Sequence, residues 1–123
     1  MTFSIIARCR NTGMYGVAVA SSSPAVTSRC AFAEAGVGAA ASQNVTDPSL
    51  GPRALGLLRA EADSLEAIET LLASSRHMEY RQIMVIDRKG DTTIHTGAKA
   101  LGISADAATK NAAAAGNLLA NPS

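Results

Sequence analysis

The order of the predicted strands and helices constrains the fold of this chain more than any other feature. Strands come first, two adjacent helices follow, and strands then return. The strict alternation of one strand with one helix that builds a parallel sheet is absent. The sequence therefore predicts an α+β protein with antiparallel sheet structure and helices on a sheet face. The predicted strands are Phe3–Arg10, Tyr15–Ser21, Gly36–Ser42, Tyr80–Asp87 and Thr92–Thr96.

Two stretches between the third and fourth predicted strands have the apolar periodicity of helices. Ser49 is predicted to cap the first helix, and Asp63 with Ser64 opens the second. Three other segments are less regular. Within residues 22–35, the stretch 29–34 is a loop or a short strand, and residues 98–108 are ambiguous. Residues 118–120 are predicted to begin a helix.

The composition fits one small domain that spans residues 1–123. Hydrophobic residues make up 47% of the chain but aromatic residues only 3%, so the core must consist of Ala, Val, Ile and Leu. The net charge is +1 and there is no long basic block, so nucleic acid is not expected as a partner. There is no signal-like segment and no apolar run long enough to span a bilayer, so we expect a cytoplasmic protein without a membrane partner.

Neither the cysteines nor the histidines have the spacing of a metal site. Cys9 and Cys30 form no CxxC or CxxH pattern, and His77 and His95 stand apart from any cysteine or carboxylate cluster. No P-loop is present either, so neither a metal nor a cofactor is expected. Free, buried thiols are the predicted state of both cysteines, and a disulfide remains an alternative.

A hydroxyl residue follows the initiator methionine. Removal of Met1 would give Thr2 a hydroxyl nucleophile and a free α-amine that can act as its base. Ser21 ends the second predicted strand, and antiparallel pairing brings that end beside the start of the first. Arg29 is the candidate cation between the second and third predicted strands, and a buried cation near Thr2 could lower the effective pKa of the nucleophile or orient it. In the alternative interpretation, Thr2 only starts a strand, Ser21 is a polar strand end and Arg29 is solvated.

Polar residues also close the third predicted strand. Backbone N–H groups and amide side chains at Ser42, Gln43 and Asn44 are candidates for an oxyanion hole, although an ordinary loop is an equally good interpretation. His95 lies within a predicted strand. A pH-active role is one hypothesis for it, and a hydrogen-bonded structural histidine is the other.

Seven segments of the chain, in the same order, resemble a bacterial and archaeal family of unknown function within the N-terminal nucleophile (Ntn) hydrolase superfamily. This resemblance implies an αββα sandwich with antiparallel sheets. It also implies amide-bond hydrolysis by an N-terminal Thr, Ser or Cys. The segments are Thr2–Arg8, Gly16–Ser21, Ala35–Ala39, Asp47–Arg53, Tyr80–Gln82, His95–Gly97 and Gly116–Leu118.

By position, the resemblance assigns roles to the candidates already named. Thr2 would be the nucleophile, Ser21 the polar residue at the end of the second strand, and Arg29 the cation. The backbone around Ser42 and Gln43, with Asn44 beside it, would bind the oxyanion. The residues that would line the substrate cleft are Gln43, Arg53, Tyr80, Arg81 and His95.

Members of the resembled family are usually much longer, so this chain is expected to form only the N-terminal half of the sandwich. A companion chain or C-terminal segment would complete the fold, and self-cleavage after Ser123 is a further hypothesis. Retained Met1 would block the amine of Thr2. The prediction is an oligomeric amide hydrolase acting on a small amide, lactam or peptide. The alternative is a non-catalytic Ntn-fold protein that binds or assembles.

Overall fold

The computed structural model describes residues 1–123, which form eight strands and three α-helices. The strands are β1 (Thr2–Arg8), β2 (Tyr15–Ser21), β3 (Ala31–Glu34), β4 (Gly38–Asn44), β5 (Arg81–Asp87), β6 (Thr92–Thr96), β7 (Ile103–Thr109) and β8 (Ala112–Leu119). The helices are α1 (Thr27–Cys30), α2 (Leu50–Arg59) and α3 (Ser64–Ser74), and a 3-10 helix covers Met78–Tyr80.

The strands form two antiparallel sheets that stack face to face. Sheet 1 has the order β2-β1-β8-β7, and sheet 2 has the order β3-β4-β5-β6. Strand β1 lies against β4, and β8 lies against β5. Helices α2 and α3 cover the outer face of sheet 2, whereas no helix covers the outer face of sheet 1. The predicted α+β class with antiparallel sheets is confirmed.

Apolar stripes attach the two longer helices to sheet 2. Their side chains pack on the sheet residues Ala40, Ile83 and Val85, all of which are fully buried. The predicted start of α3 is confirmed by a capping box, because Asp63 accepts from the backbone N–H of Glu66 and Glu66 accepts from that of Asp63. The helical residues of this core are Leu50, Ala54, Leu55, Leu58, Ala67, Ile68 and Leu71.

The predicted cap of α2 is wrong in its chemistry. Ser49 directs its hydroxyl to the carboxylate of Asp47 at 2.7 Å, and its side chain makes no hydrogen bond to the helix. Its backbone has helical dihedral angles rather than the extended ones typical of an N-cap. The helix nevertheless begins next to it, at Leu50.

The layer between the sheets consists of small and aliphatic side chains, as the aromatic-poor composition predicts. Alanines alternate with larger residues on facing strands, which lets the two sheets approach closely. This core contains Ile6, Ala39, Ala41, Met84, Ile86, Ala113 and Ala115.

The helix predicted to begin at residues 118–120 is wrong. Residues 112–119 form β8, which lies between β1 and β7 and pairs with both. Alanine favours helices, but pairing on both sides overrides that preference. The segments left open at residues 22–35 and 98–108 contain α1 with β3 and most of β7. None of the helices is long and apolar enough to cross a membrane.

Candidate functional site

Thr2 begins β1, a central strand of sheet 1, and has a polar residue beside it on each neighbouring strand. Its partner on β2 is Ser21, and its partner on β8 is Asn117. Residues directly opposite in antiparallel strands present their side chains on the same face. Thr2 shares that face with Ser4, since side chains alternate along a strand. Thr2, Ser21 and Asn117 therefore form a polar row at the edge of the inter-sheet layer.

A buried hydrogen-bonded cluster of polar side chains lies next to this row. The hydroxyl of Ser4 donates to Oε1 of Gln43 at 2.6 Å, across the gap between the sheets. Nε2 of Gln43 donates to Oε1 of Gln82 at 2.8 Å, and Nδ2 of Asn117 donates to the same oxygen at 3.3 Å. We call these four residues the polar cluster, and all of them are buried.

The polar cluster continues to the protein surface through β6 and β7. Nε2 of Gln82 donates to the hydroxyl of Thr96 at 3.1 Å, and that hydroxyl donates to the carboxylate of Asp106 at 2.6 Å. Asp106 is exposed. A line of hydrogen bonds therefore runs from an exposed carboxylate into the layer beneath the polar row.

Met1 determines the chemical form of the Thr2 nitrogen and the hydrogen bonding of the Thr2 hydroxyl. The peptide bond to Met1 makes the nitrogen of Thr2 an amide, which is not a base. The carbonyl of Met1 accepts from the hydroxyl of Ser21 and from the backbone N–H of Ser22, both at 3.1 Å. Since that bond occupies the only hydrogen of the Ser21 hydroxyl, Thr2 is the donor in the 2.8 Å bond between the two hydroxyls.

The three residues predicted as an oxyanion group point to opposite faces of β4. Gln43 faces the inter-sheet layer and joins the polar cluster. Ser42 and Asn44 face the helical side, where the Ser42 hydroxyl and the amide of Asn44 have no hydrogen-bond partner. Asn44 ends the strand in the left-handed region, with φ of 76°. Only Gln43 of the three is therefore brought together with the row that contains Thr2.

Arg29, the predicted cation, lies on α1 and donates to the backbone carbonyl of Pro24 at 3.1 Å. It makes no hydrogen bond or ion pair with Thr2 or with the polar cluster. No direct contact therefore supports the predicted role of Arg29 as the cation of the site.

The remaining predicted cleft residues lie on the helical side of sheet 2. Arg53 on α2 donates to the hydroxyl of Ser74, the last residue of α3, and to that of Ser75 directly after it. His95 places Nε2 2.8 Å from the carbonyl oxygen of Met78. Arg53 links α2 to the end of α3, and His95 links β6 to the 3-10 helix. Neither residue contacts the polar row.

Arg81 and Tyr80 also make their side-chain contacts outside the polar row. Nε of Arg81 donates to the carbonyl of Val45 at 2.9 Å, and its guanidinium lies 3.8 Å from the carboxylate of Asp47. The ring of Tyr80 lies beneath the ammonium of Lys99, 5.4 Å from the ring centroid.

Local contacts shift the pKa of six groups, among them Asp47 and the two cysteines. The hydroxyl and backbone N–H of Ser49, with the charges of Arg81 and Arg53, lower the pKa of Asp47. Hydrogen bonds from Thr12 lower the pKa of Cys9, and burial raises that of Cys30. Both thiols are free, as predicted, but Cys9 is exposed rather than buried. No group of three or more His, Cys, Asp or Glu side chains has the arrangement of a metal site.

Sequence reasoning missed the part of the site that comes from distant segments. Gln82 and Asn117 lie within two segments that carried the family resemblance, yet no role was predicted for them. Asp106 lies in a segment whose secondary structure is ambiguous from the sequence. The amides of Gln82 and Asn117 are buried near strand ends, and their place in one site is clear only once the pairing of the strands is known.

Comparison with known proteins identifies the family. Residues 2–123 match a family model described as a family of unknown function, DUF1028. No curated protein matches the chain significantly. The crystal structure of protein SPO2555 from Silicibacter pomeroyi, described with the same family model, has a TM-score of 0.92 and 27% sequence identity over 98% of this chain. The chain spans only 56% of that protein. On the extent of the family match, this chain belongs to the DUF1028 family.

Proposed function

We propose that this chain is an Ntn-type hydrolase that cleaves an amide bond with the hydroxyl of Thr2 after Met1 has been removed. One observation carries the proposal: Thr2 begins a central strand, between Ser21 and Asn117, at the edge of the buried polar cluster. Two sheets with a helical layer on sheet 2 are compatible with three layers of the αββα sandwich that the sequence resemblance implies.

Removal of Met1 would change two groups at once. The nitrogen of Thr2 would become a free α-amine on the same residue as the hydroxyl, and such an amine can serve as its general base. The hydroxyl hydrogen of Ser21 would lose its acceptor, the Met1 carbonyl. Ser21 would then be free to donate to Oγ1 of Thr2, 2.8 Å away, and orient it.

The proposed reaction passes through an ester. Oγ1 of Thr2 attacks the amide carbon while the α-amine accepts the hydroxyl proton. The tetrahedral intermediate collapses by breaking the C–N bond, and the leaving amine takes that proton. Water then hydrolyses the ester to the carboxylic acid and restores the Thr2 hydroxyl.

Asn117 is the candidate within the polar row to donate a hydrogen bond to the developing oxyanion. Its side-chain amide is buried and lies opposite Thr2 in the register of β1 and β8. Its single side-chain hydrogen bond, to Gln82 at 3.3 Å, leaves a second amide hydrogen for another acceptor. Preorganised donors of this kind stabilise acyl-transfer transition states.

The proposal is tested with an electrophile, because the substrate is not identified. Protein with and without Met1 is prepared by controlled methionine aminopeptidase treatment and treated with a β-lactone, which forms an ester with an activated hydroxyl. We expect intact mass and peptide mapping to show one adduct on Thr2, only in protein that lacks Met1.

Matched variants separate an activated hydroxyl from general reactivity. Thr2→Ser should retain labelling and Thr2→Ala should abolish it. Thr27→Ala removes an exposed hydroxyl on α1 and should leave labelling unchanged. Absence of a Thr2 adduct in folded, Met1-free protein would contradict the proposal, as would equal labelling of Thr2 with Met1 still attached.

A non-catalytic role in binding or assembly is the second candidate. The surface hollows favour it, because five of them are lined without Thr2. Four of these hollows lie at or beside the outer face of sheet 1 instead.

A further inference from the structure

A hollow with two arginines lies at the end of the inter-sheet layer opposite Thr2. Arg8 ends β1 on the same face as Thr2, about 20 Å away at a strand rise of about 3.3 Å per residue. Its register partner on β2 is Tyr15, so the two side chains share that face. The hollow has a volume of about 340 Å³, and we call it the arginine hollow. Its walls include Arg8, Tyr15 and Arg88, with Met14 and Ala35.

The arginine hollow is lined by two positive charges and by no acidic residue. Arg8 is partly buried and forms no ion pair with a carboxylate. Its one side-chain hydrogen bond runs from Nη1 to Oδ1 of Asn111, a neutral acceptor, at 3.4 Å. A guanidinium carries five N–H donors in a fixed fork. Most of the donors of Arg8 are therefore available to a ligand.

The acidic side chains near Arg88 leave the charge of the hollow largely uncompensated. Arg88 pairs with Glu61 at 3.1 Å, but both side chains are at least half exposed, and exposed pairs of this kind contribute little. The carboxylate of Asp87 accepts from three backbone N–H groups instead. An anionic ligand therefore competes with a weak ion pair at Arg88 and with none at Arg8.

The hydroxyl of Tyr15 lies within reach of both positive charges. Burial raises the pKa of Tyr15, and the guanidinium groups of Arg8 and Arg88 oppose that rise. The hydroxyl donates to the backbone carbonyl of Asp87 at 3.2 Å, which holds the ring in place. The two charges therefore act on one region of the hollow, where a single anionic group is attracted by both.

We propose that the arginine hollow binds a phosphate monoester, with its phosphate group between Arg8 and Arg88. Such a group carries a charge of about −1.5 to −2 at neutral pH and three terminal oxygens, which suits two guanidinium forks. A carboxylate carries one charge and is fully engaged by one fork. The hollow is larger than a bare phosphate, and Met14 and Ala35 offer apolar contact to the organic part of the ligand. The proposal concerns binding and does not depend on hydrolysis by Thr2.

The test titrates phenyl phosphate into the 123-residue chain by isothermal titration calorimetry at low ionic strength, where charge screening is weak. We expect a one-to-one complex with a dissociation constant below about 1 mM. Arg8→Gln and Arg88→Gln should each weaken it by at least about tenfold, because each removes a charge-assisted contact. Benzoate has the same ring and a single negative charge, and it should bind at least about tenfold more weakly than phenyl phosphate.

Arg76→Gln is the matched control. Arg76 is an exposed arginine that precedes the 3-10 helix and does not line the hollow. Its replacement removes the same unit of net charge, so this variant should bind phenyl phosphate within about twofold of the unmodified chain. Circular dichroism establishes that each variant is folded. Arg88→Gln decides the matter if Arg8→Gln is unfolded, because the side chain of Arg88 is half exposed.

Three results would overturn the proposal. The first is that the folded, unmodified chain shows no saturable binding of phenyl phosphate. The second is that the folded Arg8 and Arg88 variants bind it as tightly as the Arg76 variant does, because general attraction to a basic protein would then explain the binding. The third is that benzoate binds as tightly as phenyl phosphate, because the hollow would then not select a phosphate group.

Discussion

Replacement of Gln43 by leucine should destabilise the fold well beyond the effect of a change in size. The substitution removes the acceptor of the Ser4 hydroxyl and the amide that donates to Gln82 and to the backbone carbonyl of Ala115, all of them buried contacts. A buried group left without its partner costs about 1–3 kcal/mol. Ser4 loses its only side-chain hydrogen bond, whereas the oxygen of Gln82 keeps its bond from Asn117. We therefore expect a loss of about 2–4 kcal/mol in the free energy of unfolding, measured by urea denaturation.

A matched control lies in the same layer between the sheets. Met84 is buried there among apolar side chains, and Met84→Leu conserves volume without touching a hydrogen bond. Such exchanges usually cost less than about 1.5 kcal/mol. The difference between the Gln43 and Met84 variants therefore isolates the polar contribution from that of packing.

A double-mutant cycle makes the reasoning refutable. Ser4→Ala removes the hydroxyl that Gln43→Leu would leave unpaired, so the double variant should be more stable than the sum of the single effects implies. Coupled contacts of this kind give interaction energies of about 0.5–3 kcal/mol. Additivity of the two losses, or a Gln43→Leu variant as stable as Met84→Leu, would refute the account of the polar cluster.

Three further predictions concern other parts of the molecule. In native protein Cys9 should react with a thiol reagent well before Cys30, and both should react alike in denaturant; equal native rates would contradict the difference in exposure and in pKa. The pKa of Asp47 is lowered in the folded state, so its ionised form adds stability above the unfolded value of about 4, and this is lost as the pH falls. Asp47→Asn should therefore weaken the acid dependence of unfolding below that pH, and an unchanged dependence would argue against it. A Cβ at Gly97 would collide with the backbone carbonyl of Glu79 in the 3-10 helix, so Gly97→Ala should destabilise the protein by more than about 1 kcal/mol. Gly56→Ala has open space on α2 and should stabilise it slightly, by up to about 1 kcal/mol.

Local patterns in the sequence predict the parts of the fold whose contacts are close along the chain. The turn at residues 11–13 and the apolar strands around it predict the first hairpin, and antiparallel pairing then brings Ser21 beside Thr2, as the register confirms. Asp63 likewise predicts the start of α3 from its immediate neighbours. In each case the interacting residues lie in one hairpin or one helical turn.

Contacts between distant segments are not visible in local patterns. The insertion of β8 beside β1 places Asn117 opposite Thr2, and only long-range pairing creates that contact. The alanine-rich sequence of β8 carries no strand signal of its own, because alanine is depleted in strands. The missed amides of the site depend on this pairing.

The side chains of Ser42, Gln43 and Asn44 are divided between two faces by a rule that applies to any strand. Successive side chains point to opposite faces, so three consecutive residues cannot all face one cleft. Gln43 faces sheet 1, and its neighbours face the helices. Strand periodicity alone would have separated them once β4 was taken to extend to Asn44.

The chemistry proposed for Thr2 can be separated from the stability of the fold, because the contacts of Met1 lie outside the pairing of β1 with β8. Met1 contributes hydrogen bonds only to Ser21 and Ser22, at the edge of sheet 1. The register of Thr2 with Ser21 and Asn117 does not involve it. Removal of Met1 therefore changes the ionisable group beside the Thr2 hydroxyl while the strand that positions this hydroxyl stays in place. A difference in β-lactone labelling between the forms with and without Met1 then reports on the α-amine of Thr2. A Gln43 variant also perturbs the stability of the fold, so a loss of labelling in that variant reports on chemistry only if the variant is folded.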